Sequence, residues 1–427
     1  MRNNFNKGFT LIELLAIVAI LATIITATVV VMNPIEMLRQ AEDTVRLNDF
    51  NSIHQTLNLF QSNRPGDSIG VPNIVYVSIP SDSPTCVGLG LPTLPSGWAY
   101  RCVTTANLRN INGTGWIPVN FTTITGRIPL TTLPIDPINT ATSGNYYAYV
   151  TNGTSWALAT IMGSRRHAPS AVRDGGTDSA RFEVGNNLSL WTSASGLVGY
   201  WSFDGTGSIA NNQIAGLRDE SGRGNHGTAS NANAVGMAFV PGRVNNAITF
   251  DGVDDFVRVP HSANLDMVFG TNTVFTLEAW VFPRAWANWA AIMNKARGAC
   301  WGHTTNGMWA SEQNGFACAM GSGVDPVVCN PSGSIIMIAY RPPLNSWSHI
   351  VCTADGTNLI MYVDGRETGR VPIAWLTHPR FSNTEHLVIG RRTTGAGPSF
   401  NGNIDESRIY NRALSAIEIM ANFNATR

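Results

Sequence analysis

The sequence is poor in charge and has no excess of either sign. Only 13% of its 427 residues are Asp, Glu, Lys or Arg, and 28 basic residues are matched by 28 acidic ones. A chain without a basic excess has no evident source for the salt-dependent attraction that holds nucleic acid phosphates. We therefore expect no nucleic acid partner, and a DNA-uptake role is disfavoured.

Patterns typical of metal and phosphate chemistry are also lacking. The 8 His and 6 Cys include no His-x-x-x-His or Cys-x-x-Cys spacing, which disfavours a zinc site. No glycine-rich phosphate loop precedes a helix. Instead the chain has 41 Gly and 22 Pro together with many Thr, Asn and Ser, a composition typical of an extracellular β-rich protein. Its length suits two or three domains.

One long apolar run stands out, at residues 9–32, and its only charge is Glu13. As a helix it would be about 36 Å long, enough to cross a ~30 Å hydrocarbon core. Arg2 and Lys7 precede it, so the positive-inside rule places residues 1–8 in the cytoplasm and the rest outside. An ordinary secretory signal is disfavoured because the run is too long. A plain anchor helix leaves Glu13 unexplained, since a carboxylate inside a membrane is costly.

The sequence Gly-Phe-Thr-Leu-Ile-Glu at residues 8–13, before this apolar run, resembles the class III signal of type IV pilins and type II secretion pseudopilins. The resemblance implies that a prepilin peptidase cuts between Gly8 and Phe9 and methylates the new N-terminus. It also implies that Glu13 pairs with the N-terminal amine of an adjacent pilin subunit, which would offset the burial of both charges. The expected location is the inner membrane as a single-pass prepilin with the C-terminus outside, and then a cell-surface or periplasm-spanning filament.

Residues 33–190 are predicted to continue the helix and then form a small β domain. Apolar residues recur at helical spacing from Leu38 to Phe60, charged residues that include Asp43 and Arg46 occupy the other face, and Asn63-Arg64-Pro65-Gly66 ends the pattern. Two apolar segments flank Asn152-Gly153, a strong hairpin signal. This order resembles the globular part of pseudopilins. Cys86 and Cys102 bracket a loop here and are predicted to form a disulfide, with roughly 3 kcal/mol of stabilisation. Residues 191–196 are predicted to be a linker.

From residue 197 to 427 the pattern changes to period-2 strands separated by Asp-Gly and Asn-Gly turns, which predicts a two-sheet antiparallel sandwich. Taken together and in this order, the segments resemble the laminin-G-like, concanavalin A-like jelly roll. The segments that carry this resemblance include residues 247–257, 275–281, 359–365 and 402–415. The predicted fold class is therefore α+β and multidomain: a long pilin helix with a small antiparallel β domain, followed by an all-β jelly roll.

That fold hosts both lectin-like modules and glucanases, so the choice between binding and hydrolysis has to be inferred from individual residues. Glucanases of this fold carry their two catalytic carboxylates on one strand as Glu-x-Asp-x-Glu or Glu-x-Asp-x-x-Glu, and neither pattern occurs here. Glu278 is isolated among apolar neighbours. Asp405 and Glu406 are adjacent and would face opposite sides of a strand. We expect no enzymatic activity, although a membrane-tethered glycan hydrolase stays as the less favoured alternative.

Calcium is the expected cofactor, if there is one. Relatives of this jelly roll often carry Ca²⁺, and Asp219, Asn225 and Asp405 are the favoured ligands because they fall in loops or at strand ends. The alternative is that these residues are turn formers.

The expected ligand surface lies in a Gly-, Asn- and Cys-rich insertion, where exposed aromatic residues would contact a glycan. The aromatic residues favoured for this role are Trp286, Trp289, Trp301 and Trp309. The sequence does not determine how four cysteines of the same region pair: Cys300, Cys318, Cys329 and Cys352.

The sequence thus predicts a minor or tip subunit of a type IV pilus or related filament that carries a lectin-like jelly roll for adhesion to glycans or other ligands on host or neighbouring cells. The alternative is a pseudopilin whose jelly roll is structural or binds protein.

Overall fold

A computed structural model describes most of the chain. The described residues are 11–176, 178–210, 213, 216–230, 236–269, 273–286, 289–295, 307–322, 334–376, 384–392 and 399–427; for residues 24–32 only the helical backbone is described.

The described part of the chain contains the long N-terminal helix that the sequence predicts, in two segments, and three short helices that it does not predict. The helices are α1 (Leu11–Met32), α2 (Pro34–Asn63), α3 (Ser189–Ser195), α4 (Ala263–Phe269) and α5 (Ala416–Thr426). Asn33 separates the first two: its φ is 40°, and its side chain accepts a hydrogen bond from the Glu36 N–H while Pro34 begins the next helix. Within the part of the chain that the structure describes, no helix is long and apolar enough to cross a membrane, so the membrane segment predicted at residues 9–32 is not shown.

The apolar stripe of α2 is buried only in its second half. Phe50, Ile53, Leu57 and Phe60 are buried, whereas Leu38 is exposed. These four side chains form one core with a small sheet that follows the helix.

Two charged residues of α2 that the sequence pattern assigns to its polar face are buried instead. Arg46 Nη1 lies 2.6 Å from Asp43 Oδ1, and Arg46 Nε lies 2.7 Å from Asp136 Oδ2. Asp43 also accepts hydrogen bonds from the N–H groups of Gly163 at 2.9 Å and Ser164 at 2.8 Å. Buried charges are tolerated when they are paired and hydrogen-bonded in this way. This network ties the helix to two loops that lie far away in sequence.

The small sheet has the strand order β2-β1-β3-β4-β5. Its strands are β1 (Ile74–Pro80), β2 (Ala99–Val103), β3 (Ala148–Thr151), β4 (Trp156–Thr160) and β5 (Phe182–Gly185). All neighbouring pairs are antiparallel except β1 and β2, which are parallel. The Cys86–Cys102 disulfide predicted from the sequence is present and joins the loop between those two strands to β2.

The C-terminal region is a two-sheet β-sandwich, as predicted. Its strands are β6 (Leu197–Trp201), β7 (Thr228–Ser230), β8 (Ala238–Pro241), β9 (Asn246–Asp251), β10 (Phe256–Val259), β11 (Val274–Ala285), β12 (Ala290–Asn294), β13 (Gly307–Ser311), β14 (Gly315–Ser322), β15 (Ser334–Tyr340), β16 (Ser348–Asp355), β17 (Asn358–Val363), β18 (Arg366–Pro372), β19 (Leu387–Ile389) and β20 (Asn401–Tyr410).

One sheet of the sandwich has the order β15-β14-β13-β12-β19-β10-β7. The other has the order β18-β17-β16-β11-β20-β9-β8, with β6 pairing with β20. Alternate side chains of both sheets form the main core, which extends from Val198 to Ile409.

The two halves of the chain are joined by packed residues. Residues 189–195, which include most of the predicted linker, form helix α3, and Trp191 on it donates a 2.8 Å hydrogen bond to Asp178 Oδ2. Helix α3 ends at Gly196, whose φ of 76° suits glycine. Helix α5 lies at the same junction: Ile417 packs with residues of the N-terminal half. The sandwich is thus fixed against the first half by buried contacts.

Candidate functional site

The predicted assembly segment is partly covered by the structure. Gly8 and Phe9 lie outside the described residues, and Glu13 lies in the first turn of α1. Large apolar side chains around Glu13 are widely exposed, from 78% at Leu11 to 43% at Ile17. A contiguous apolar surface of this kind marks a contact with protein or membrane.

Two of the predicted calcium ligands, Asp219 and Asn225, lie together after β6. Asp219 Oδ1 accepts hydrogen bonds from the N–H groups of Tyr200 at 3.0 Å and Ser221 at 2.9 Å, and its Oδ2 accepts one from the Asn225 N–H at 2.8 Å. The Asn225 side-chain oxygen accepts a 2.6 Å bond from the Ser262 hydroxyl. Because these oxygens face hydrogen-bond donors, the geometry fits residues that fix a loop better than residues that hold a cation. Calcium binding by them stays a prediction.

The third predicted ligand, Asp405, lies against a different loop. Its Oδ2 accepts hydrogen bonds from the N–H groups of Arg243 at 2.8 Å and Val244 at 3.0 Å. Burial raises the pKa of Asp405 well above its usual range, and the neighbouring Glu406 raises it further. The structure does not bring Asp405 into hydrogen-bond contact with either Asp219 or Asn225 among the residues it describes.

Three acidic side chains do converge after β9. Ligand atoms of Asp251, Asp254 and Asp255 all lie within 4.8 Å of one another. Asp255 Oδ2 accepts a 3.0 Å hydrogen bond from the Asp251 N–H. Burial raises the pKa of Asp255 to about 7; that N–H opposes the rise, and the charges of Asp251 and Asp254 add to it. The sequence analysis favoured other ligands, although these residues are close together in the sequence.

The predicted aromatic surface is not a single exposed platform. Trp309 is only 5% exposed and packs with Trp289, which is half-buried. Trp286 is also half-buried, and its ring lies 5.1 Å from the ring of Phe316 in an edge-on arrangement. Trp301 lies outside the described residues. A glycan contact by these residues stays a prediction.

The carboxylates considered for hydrolysis are buried. Glu278 contacts His349 Nε2 at 2.8 Å and accepts a hydrogen bond from the Asn422 side chain at 2.9 Å. Asp405 and Glu406 lie at a β-bulge, where Glu406 has a φ of 52°. A bulge interrupts the alternation of side chains, so the expectation that this pair faces opposite sides does not strictly apply. With burial of all three, a substrate has no direct access to them in this structure.

Family models match two parts of the chain. Residues 3–29 match the prokaryotic N-terminal methylation motif, and residues 251–420 match the concanavalin A-like lectin/glucanases superfamily. The chain joins a methylation motif to a concanavalin A-like domain. No curated protein matches the chain.

Solved structures match about half of this chain. Domain 4 of AbnA, an extracellular arabinanase from Geobacillus stearothermophilus, in complex with arabinotriose, is 18% identical, with a TM-score of 0.40, and the match covers 53% of this chain and 97% of that one. The binding domain of Paraclostridial Mosquitocidal Protein 1 is 18% identical, with a TM-score of 0.38 and coverage of 53% and 52%. The binding domain of Botulinum neurotoxin DC, in complex with rat synaptotagmin II, is 13% identical, with a TM-score of 0.40 and coverage of 54% and 52%. This chain thus spans about half the length of the two toxin domains. Likenesses this weak do not assign a function.

A disulfide crosses the core of the concanavalin A-like domain. Cys318 lies on β14 in one sheet and Cys352 on β16 in the other, and they are bonded with Cα atoms 5.5 Å apart. The sequence left this pairing open. Cys300 and Cys329 lie outside the described residues.

A pocket of about 450 Å³ that no sequence pattern predicted lies at the β7 end of one sheet of the sandwich. Side chains of Phe256 and Arg258 on β10 line it, together with His386 just before β19. Arg258 and His386 are 128 residues apart, and Arg258 Nη2 contacts His386 Nε2. No local sequence pattern predicts this contact, because it depends on the pairing of β10 with β19.

Proposed function

We propose that this chain is a pilin-like subunit, at a minor or tip position, of a type IV pilus or related filament, and that its concanavalin A-like domain binds glycans or other surface ligands. The observation that carries the proposal is the presence of the methylation motif at residues 3–29 and the concanavalin A-like domain at 251–420 in one chain. The motif supports a surface-displayed, prepilin-type protein, and the fold supports a binding role.

The exposed apolar surface of α1 supports assembly. Side chains such as Leu11, Ile12 and Leu15 are more than half exposed in the single chain. Such a helix needs a covering, because apolar area in water is unfavourable by roughly 25 cal/mol per Å². The inner membrane supplies it before assembly, and the helices of other pilin subunits supply it in the filament. Glu13 is then the residue that pairs with the N-terminal amine of a neighbouring subunit.

The junction between the two halves supports display. Helix α5 and the residues beside it connect them through buried hydrogen bonds, among them a 2.8 Å bond from the Ser179 hydroxyl to Asn422. A rigid connection holds the binding domain at a fixed angle to the filament. Because the sandwich region, residues 197–427, exceeds half the chain, a minor or tip position avoids the crowding expected for a major subunit.

Binding is favoured over hydrolysis because the carboxylates considered for catalysis, Glu278, Asp405 and Glu406, are buried and engaged with protein groups. General acid–base catalysis needs a carboxyl group within reach of the substrate.

Mass spectrometry of the mature N-terminus tests the filament role. We expect a methylated Phe9 in cells that contain the prepilin peptidase and an uncut chain when Gly8 is replaced by a bulky residue. Glu13→Gln is expected to be cut but not to enter filaments, whereas Glu13→Asp retains the charge and serves as the matched control. A mature N-terminus elsewhere than Phe9 contradicts the proposal. Location of the chain in a periplasmic secretion structure would favour the pseudopilin alternative.

A further inference from the structure

The pocket beside Phe256 and Arg258 lies on the face of its sheet that is turned away from the main core. Val257 on β10 pairs with Ala229 on β7 and with Ile389 on β19, and all three side chains belong to the main core. Side chains alternate across a strand, so Phe256 and Arg258 on either side of Val257 point to the opposite face. The register places Ser230 and Thr228 directly opposite them.

The pocket contains a guanidinium group without a carboxylate partner among the residues that the structure describes. Arg258 is exposed and makes no ion pair within that part of the chain, and its one hydrogen-bond contact there is with His386. Burial lowers the pKa of His386, and the charge of Arg258 lowers it further, so the imidazole is neutral and accepts the hydrogen bond from Arg258. A neutral acceptor orients the guanidinium and leaves its positive charge uncompensated.

Most of the titratable groups that act on His386 are positive or become positive on protonation. Lys295 and His261 also lower the pKa of His386, and Glu385 alone opposes them. Lys295 is buried and paired with Asp266 at 2.7 Å, so among the residues that the structure describes Arg258 is the cation that lines the pocket.

The other walls suit a sugar ring. Phe256 has a half-buried aromatic ring, and aromatic rings pack favourably against apolar surface. The guanidinium carbon of Arg391 lies over this ring, 5.4 Å from its centre. The hydroxyl-bearing residues Thr228 and Ser230 line the same space. A volume of about 450 Å³ is within the range of small-ligand pockets. A hydroxylated ring with one apolar face and one acidic group would contact all of these elements at once.

We propose that this pocket binds an anionic sugar residue, with Arg258 pairing with its carboxylate or sulfate group and Phe256 packing against the ring. This inference rests on the proposed function, in which the concanavalin A-like domain recognises glycans. His386 is the positioning residue, since it holds the Arg258 guanidinium.

A glycan array probed with the full chain in detergent tests the inference. The array carries matched neutral, uronate-containing and sulfated oligosaccharides. We expect binding to the anionic classes, weaker at high salt, and the uronate and sulfate arms show which acid group is used. Arg258→Gln should weaken binding roughly tenfold to a hundredfold, because a charge-assisted hydrogen bond is lost. Arg258→Lys keeps the charge but not the planar fork of the guanidinium, so its affinity should lie between those of the unmodified chain and Arg258→Gln.

Arg366→Gln is the matched control, because Arg366 is an exposed arginine on β18 in the other sheet. It should bind like the unmodified chain, and thermal unfolding should be the same for both arginine variants. If Arg258→Gln fails to fold, the affinity of Arg258→Lys and the salt dependence of binding decide whether Arg258 pairs with an anionic group. Unchanged binding by Arg258→Gln, or a preference for neutral glycans, overturns the proposed role of this pocket but leaves the proposed glycan binding by the domain intact. Absence of binding to every glycan overturns both, and the Phe9 N-terminus then tests the filament role separately.

Discussion

The Ser179 hydroxyl donates a 2.8 Å hydrogen bond to the side-chain oxygen of Asn422, across 243 residues of sequence. Asn422 in turn donates a 2.9 Å bond to Glu278 on the central strand β11 of the sandwich. One side chain of α5 therefore connects the pilin-like half with the middle of a sheet in the binding half. All three residues are buried, so no water replaces a lost partner without rearrangement.

We predict that Asn422→Ala lowers the free energy of unfolding by about 1–3 kcal/mol, because it leaves Ser179 and Glu278 with unmet hydrogen-bonding groups. Asn424→Ala, two residues further along the same helix and only half-buried, is the matched control and should change stability by less than about 0.5 kcal/mol. Urea unfolding of the full chain in detergent measures both. Equal losses for the two variants would contradict a specific role for Asn422.

The Arg412–Glu418 pair predicts a dependence of stability on pH. Burial opposes ionisation of Glu418, but the charge and hydrogen bonds of Arg412 lower its pKa to about 2. In the unfolded chain the group titrates near its ordinary value of 4.5. A lowered folded-state pKa contributes stability above about pH 4.5 that is lost as the pH falls towards 2. Glu418→Gln should be less stable at neutral pH, and the difference from the unmodified chain should shrink below pH 4.5. The exposed Glu312→Gln is the control; a constant difference at all pH values would refute the assignment.

The disulfide between Cys318 and Cys352 should make a large contribution to stability. It closes a loop of 34 residues between two sheets, for which the loop-entropy model gives about 3–4 kcal/mol. We expect the double variant Cys318→Ala/Cys352→Ala to lose at least this much, since the sulfur atoms also fill the core. For comparison, the same model predicts a loss of about 3 kcal/mol for the double variant Cys86→Ala/Cys102→Ala, because these two cysteines are 16 residues apart in sequence. Peptide mapping without reduction checks the pairing directly, and a Cys318 peptide linked to any other cysteine would disprove it.

Asp219 provides a test of the calcium prediction. Its carboxylate accepts three backbone hydrogen bonds, so Asp219→Asn should lower the free energy of unfolding by about 1–3 kcal/mol. If its role is to fix the loop, the loss is the same with calcium and with a chelator. The exposed Asp82→Asn is the control for a general effect of charge. A loss that appears only in the presence of calcium would restore Asp219 as a ligand.

Local pattern predicted much of the fold. Period-2 strands with Asp-Gly turns predicted the sandwich, and the helical spacing of Phe50, Ile53, Leu57 and Phe60 predicted the buried stripe of α2. The same spacing assigned Arg46 to a solvent-facing surface, where the structure instead pairs it with Asp136. Helical periodicity reports which residues share a face of a helix, but it does not report what packs against that face.

The site was predicted less well than the fold. A Gly-, Asn- and Cys-rich insertion suggested exposed tryptophans, yet Trp309 is buried because it packs with residues of the neighbouring strands and with Trp289. The balance of 28 basic and 28 acidic residues gave no sign of the contact between Arg258 and His386. Composition counts charges, whereas a binding site depends on which charges lie near one another.

The sequence by itself determined the N-terminal methylation motif, its combination with a concanavalin A-like domain, and the sandwich, because each depends on residues that are neighbours or regularly spaced along the chain. Only the tertiary structure decided that Cys318 bonds with Cys352, that Asn422 joins the two halves, and that Arg258 meets His386 beside Phe256. These contacts depend on strand order and register, which bring together residues far apart in sequence and are set by the packing of the whole molecule rather than by any local pattern.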